Sequence, residues 1–152
     1  MTKYEQMTSE AQVDGLEVVE LPLEYSDGMV FGNLVGIRAG QTSAEKACVL
    51  AEELAHAQFT VGDIIDQSDV ANRKQECFAR LKAYDRLIGL SGIVRAFKHG
   101  CRSRYEMAEY LEITEEFLQE ALECYHKKYG LCVRYGKHMI QFEPSLSIGT
   151  LF

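Results

Sequence analysis

Apolar and polar positions change period several times along the chain, and each change predicts an element. Residues 4–13 read as a short helix. Residues 16–23 (LEVVELPL) alternate apolar with acidic side chains until Pro22 interrupts them, as at a sheet edge. Ser26-Asp-Gly28 is a turn, and MVFGNLVGIRAG places β-branched and aromatic residues in two short strands, at 29–31 and 34–38. A small antiparallel sheet is expected from these three strands. Thr42-Ser-Ala-Glu45 is a capping box, with a hydroxyl at the N-cap and a carboxylate at the third helical position. It opens a helix expected to run to about residue 59, with Ala47, Leu50, Ala51, Leu54 and Ala55 at helical spacing.

Gly62 and Asp63 mark a turn, and a long helix follows Ser68, from about 70 to 90. Its expected apolar stripe is Cys77, Phe78, Leu81, Tyr84, Leu87 and Ile88. Gly89, Ser91 and Gly92 are expected to break it, and a further helix from 93 to about 99 ends at Gly100. Ser103-Arg-Tyr-Glu106 and Thr114-Glu-Glu116 open two more helices, the second ending near 128 before Gly130, and the pair has the look of a helix-turn-helix. Residues 131–135 and 138–142 form a hairpin around Tyr135-Gly-Lys137, and the tail after it is apolar enough to dock. With no repeats and no linker, the pattern describes one α+β domain over residues 1–152.

Composition narrows the function classes. A formal net charge of −7 opposes general binding to nucleic acid or to an anionic membrane, because both are polyanions. No segment approaches the roughly 18 apolar residues of a membrane span, and the start, MTKYEQMTSEAQVDG, lacks the pattern of a signal peptide. A cytoplasmic protein is expected. Its five cysteines are odd in number and show no C-x-x-C spacing, which suits reduced, mostly buried thiols.

Candidate chemistry concentrates in Ala51-Glu52-Glu53-Leu54-Ala55-His56. Residues 52 and 56 lie one helical turn apart, so a carboxylate oxygen and an imidazole nitrogen share a face from which both reach one metal ion. Glu53, about 100° around the helix, then addresses a metal-bound water. The arrangement is that of H-E-x-x-H with glutamate in place of the first histidine. The plainer reading is a solvated acidic face. Cys48 and Cys77 adjoin these positions, but cysteines among alanine, valine and leucine read as small core residues. Asp63 and Asp66 serve either as oxygen ligands or, preferably, as turn and capping residues. Tyr84 reads as core, His99 as a helix-end cation, and His126 and His138 lack spaced partners.

These surroundings resemble the ImmA/IrrE family of metallopeptidases, in which a short sheet leads into an H-E-L-G-H helix and a second helix carries E-x-x-A-N-x-x-A. Here the second helix reads Glu76-Cys-Phe-Ala79-Arg80-Leu-Lys-Ala83, keeping the glutamate and both alanines and placing arginine at the asparagine position. Leu87-Ile88 stands where the family has an apolar pair before proline, and Gly89 replaces that proline. Met107-Ala108, Tyr110-Leu111, Ile113-Thr114 and Leu118 are similar to the family's L-A-x-x-F-x-V-S segment, so the likeness covers about residues 28 to 125. LAEELAH, GDIIDQ and RKQE together look like the variant found in phages and other mobile elements.

The resemblance implies a zincin-like pair of metal-site helices, with Glu52, His56 and Glu76 as ligands to zinc or another divalent metal and Glu53 as general base. It further implies hydrolysis of a peptide bond in a helix-turn-helix repressor of the element that encodes the protein; separately, a monomer is expected. An alternative is a weak or inactive relative that binds the repressor without cutting it; glutamate at 52 adds anionic charge and so acidifies a bound water less. Direct DNA binding by the helix-turn-helix look is disfavoured by charge. Residues 103–124 carry Glu106, Glu109, Glu112, Glu115, Glu116, Glu120 and Glu123 against Arg104 alone.

Overall fold

The computed structural model describes residues 1–59 and 70–151. Gly62, Asp63, Asp66 and Ser68 lie outside the described residues, and with them the turn and the alternative ligands expected there. The fold is α+β, as expected, and divides into two compact units, residues 1–86 and 87–152.

The first unit holds α1 (Lys3–Val13), β1 (Glu17–Leu21), β2 (Gly28–Phe31), β3 (Leu34–Arg38), α2 (Ser43–Phe59) and almost all of α3 (Val70–Leu87). Thr2 and Glu5 form a capping box on α1, a start signal that the apolar pattern alone does not reveal. The sheet has the order β1-β3-β2 and is mixed, not wholly antiparallel. The hairpin pairs β2 with β3 antiparallel, but β1 runs parallel to β3, with Val18 opposite Val35 and Glu20 opposite Ile37. Physically, the chain reverses over residues 22–27, and Pro22 cannot extend the ladder. That reversal is wide enough to leave one strand position vacant, which β3 then fills. As the central strand, β3 buries Val35, Gly36 and Ile37 in succession, whereas β1 and β2 remain half exposed.

The Thr42 box is formed in both directions: the Glu45 N–H donates to Thr42 Oγ1 at 3.1 Å, and the Thr42 N–H to Glu45 Oε1 at 3.2 Å. It starts α2, which lies on β2 and β3 and against α1. The predicted stripe of Ala47, Leu50, Ala51, Leu54 and Ala55 is buried, and so is Cys48. Three of those side chains are alanines, which let the helix lie close to the sheet.

In α3 the predicted stripe holds at its C-terminal end, where Tyr84, Leu87 and Ile88 are buried, and fails before it. Cys77 and Phe78 are exposed, the latter at 46%, and the inward face runs through Ala79, Ala83, Tyr84 and Leu87. Small residues turn inward and the phenyl ring turns out, beneath the Lys82 ammonium at 5.1 Å from its centroid. This rotation carries Glu76, one turn before Ala79 and Arg80, toward the interior.

The second unit contains α4 (Gly89–His99), α5 (Arg104–Leu111), α6 (Glu115–Tyr129), β4 (Cys132–Tyr135), β5 (His138–Gln141) and β6 (Ser147–Thr150). The break before α4 falls at Ile88 and Gly89, and Gly89 adopts φ +62°, so Ser91 and Gly92 lie within the helix. Gly92 serves packing there, since a Cβ would meet Leu111 Cδ2 at 3.4 Å. Gly100 ends α4 in the left-handed conformation, as expected of a C-cap. Ser103 and Thr114 cap α5 and α6 through the N–H groups of Glu106 and Phe117, both at 3.1 Å. The expected hairpin forms around Gly136, and the apolar tail docks by adding β6 antiparallel to β5. Cys101 is buried and Cys132 exposed, so with Cys77 two of the five thiols face solvent, more than the composition suggests. Among the described residues, no helix is long and apolar enough to cross a membrane.

Candidate metal centre

The capping box fixes where α2 begins, and the buried alanine–leucine stripe fixes its rotation. Together they leave Glu52, Glu53 and His56 on the flank of the helix, all partly buried. The inward rotation of α3 supplies Glu76 from the other side. His56 Nε2 lies 3.1 Å from Glu76 Oε2 and 3.3 Å from Oε1, a contact across 20 positions of sequence. The Glu76 side chain is only 16% exposed and that of His56 31%. A carboxylate can only accept, so this contact is a hydrogen bond in the form of His56 that carries a proton on Nε2.

Glu53 takes a separate place. Its Oε2 stands 4.0 Å from His56 Nδ1, on the opposite side of the imidazole from Glu76. The side chain lies against β2, where Gly28 has no Cβ to obstruct it; a Cβ there would stand 2.8 Å from Glu53 Cγ and 2.8 Å from Val49 Cγ1. Burial pushes the Glu53 carboxyl above its ordinary range. The charge of His56 opposes this shift and that of Glu76 adds to it.

Of the predicted site residues, the structure therefore brings Glu53, His56 and Glu76 together around one imidazole. Glu52 is half-buried on the same helix, but no group of three or more His, Cys, Asp or Glu side chains among the described residues is arranged to hold a metal ion. His56 and Glu76 are spaced to supply two of the three or more ligands that zinc takes from a protein. Two ligand atoms bound to zinc at about 2.1 Å in a tetrahedron lie about 3.4 Å apart, so the observed 3.1 and 3.3 Å need to open by only a few tenths of an ångström. An ion there would displace the Nε2 proton.

Two further residues shape this site. Gly28, a turn residue by its sequence context, stands at the start of β2, where it admits Glu53. Arg80, by sequence a departure from the family pattern, pairs with Glu76. Its Nε donates to Glu76 Oε1 at 3.2 Å, and the signal was present in the sequence as a Glu-to-Arg spacing of four on one helix. Desolvation works against the Arg80 charge, but Glu76 first and then Tyr84 and Glu52 stabilise it, and the guanidinium is held above its ordinary range.

Elsewhere, Tyr84 is core at 5% exposure, as expected. The His99 ring lies 4.5 Å from that of Tyr110, and His126 Nε2 lies 4.0 Å from Glu143 Oε1. In comparisons with known proteins, the chain matches no protein-family model, no curated protein and no solved structure.

Proposed function

We propose that the chain is a cytoplasmic metallopeptidase-like protein of the ImmA/IrrE type, acting on a helix-turn-helix repressor of a phage or other mobile element. The observation that supports this most is the contact of His56 with Glu76. Two residues singled out as ligands from separate helices meet within the span of a metal ion, with Glu53 close by in a sheltered position. Zinc, when bound, supplies a polarised water and a Lewis acid for the scissile carbonyl. The chain's own residues do the rest. His56 and Glu76 hold the ion, with Glu52 as the third ligand proposed. Glu53, whose carboxyl gains basicity from burial, accepts the proton of the attacking water at its carboxylate and returns it to the leaving amine.

A second reading rests on position 52, where a glutamate ligand adds anionic charge and a bound water would be acidified less. In that reading the protein binds the repressor in the same place and inactivates it without cutting. One mixture separates the two. The protein is incubated with zinc and the repressor encoded beside its gene, and the products are followed by mass spectrometry and by size-exclusion chromatography. Cleavage that is lost in Glu53→Gln with binding retained is the expected result for the peptidase. A stable complex with intact repressor, unchanged in the variant, establishes the binder. Neither cleavage nor complex overturns both.

A further inference from the structure

The three carboxylates of this site, Glu52, Glu53 and Glu76, exceed what one imidazole balances, and Arg80 is the cation that meets them. It reaches Glu76 from the same helix at 3.2 Å, on Oε1, while His56 Nε2 lies against both oxygens of the same carboxylate at 3.3 and 3.1 Å. Its charge also interacts with Glu52. The two carboxylates proposed as metal ligands are thus the two that Arg80 attends. Its side chain is 62% exposed, so the guanidinium is free to swing into solvent without breaking a packed core.

The geometry points to Arg80 as the protein's internal competitor for its own metal site: the guanidinium holds Glu76 in the metal-free chain, and an ion binds at His56 and Glu76 by displacing it. This inference rests on the metal-site reading above. It assigns the position a role that an uncharged side chain cannot fill, because asparagine at 80 would leave the Glu76 carboxylate with His56 alone and no cation to expel. In this arrangement the pair of α2 and α3 is held together with or without metal. Without it, Glu76 is shared by Arg80 and His56; with it, the ion replaces both the guanidinium and the imidazole proton. Affinity is reduced as a result, since breaking a charge-assisted hydrogen bond opposes each binding event.

The test is a zinc titration of the full chain against a chromophoric chelator, for wild type, Arg80→Asn and Arg80→Lys. His56→Ala measures zinc held elsewhere, for example at the exposed Cys77 and Cys132. Thermal unfolding of each is recorded in chelator and in saturating zinc. Arg80→Asn is expected to bind zinc about tenfold more tightly, in the range by which neighbours of metal ligands tune affinity. Arg80→Lys, which keeps a cation near Glu76, is expected to stay close to wild type. The melting difference should close on metal binding: wild type lies above Arg80→Asn in chelator, where Glu76 needs its partner, and level with it in saturating zinc, where the guanidinium has been displaced. His56-dependent zinc binding that is equal in wild type and Arg80→Asn overturns the role of Arg80 and leaves the metal site standing. No His56-dependent zinc in either overturns both.

Discussion

Gly28 and Glu53 occupy space that a single methyl group would dispute. A Cβ on Gly28 would stand 2.8 Å from Glu53 Cγ and 3.1 Å from its Oε1, and equally close to Val49, whose branched side chain on a helix has little rotamer freedom. Glu53 is therefore seated by an absence on β2 as much as by its own helix.

Gly28→Ala is accordingly expected to move Glu53. Its cost should be about 1–3 kcal/mol, the usual range for overpacking a close contact, read as a lower urea midpoint with unchanged slope. Gly32 is the control, because a Cβ there would meet nothing within 4 Å, although its φ of +61° brings a backbone cost of its own. The discriminating comparison is the double variant with Glu53→Ala. Relief of the penalty by shortening residue 53 identifies the clash, whereas additive losses would assign the effect to something other than the Gly28–Glu53 contact.

The buried Glu53 carboxyl has a pH signature of its own in the metal-free protein. Burial raises its pKa above 4.5, so the folded state holds this proton more tightly than the unfolded state does. Stability from this group is greatest below that value, falls as pH rises through the raised folded value, and stays lower above it. Glu53→Gln removes the dependence. The variant should melt above wild type at about pH 7 in chelator, and the two should converge below about pH 4. A melting difference that stays constant across that interval would show that the carboxylate is not disfavoured in the fold.

Much of this region was legible because its determinants are local. Thr42 and Glu45 announce the start of α2 within four residues, and the stripe from Ala47 to Ala55 fixes its buried face. The same holds for Gly100, Gly130 and the hairpin around Gly136. What failed depends on partners far along the chain. The parallel pairing of β1 with β3 follows from which vacant edge the hairpin can reach, and no alternation within residues 16–23 encodes it. The rotation at the start of α3 is not legible, because Phe78 outweighs Ala79 in any apolar pattern, yet close helix packing selects the smaller side chain. The contact of His56 with Glu76 was anticipated through a family likeness, since nothing in either helix alone foretells it.

Position 52 gives a third prediction. Glu52→His places a second imidazole one turn before His56 and removes one negative charge from the site. Zinc should bind more tightly, by about tenfold, equal to about 1.4 kcal/mol, in the same chelator competition. If residue 52 is merely a half-buried surface glutamate, the titration curves of the variant and wild type will coincide, and Glu52 leaves the ligand set.

Helix α4 begins without a side-chain cap of its own; Ile88 offers none, and the N–H of Gly89 donates instead to the hydroxyl of Tyr125, 3.1 Å away on α6. Tyr125 is fully buried. The first turn of one helix is thus completed by a residue 36 positions later, so the order of assembly is constrained. As the chain emerges during synthesis, the N–H of Gly89 lacks this acceptor until α6 has been made and has docked. A fragment ending before residue 125 would leave that turn frayed, however well the rest of α4 had formed.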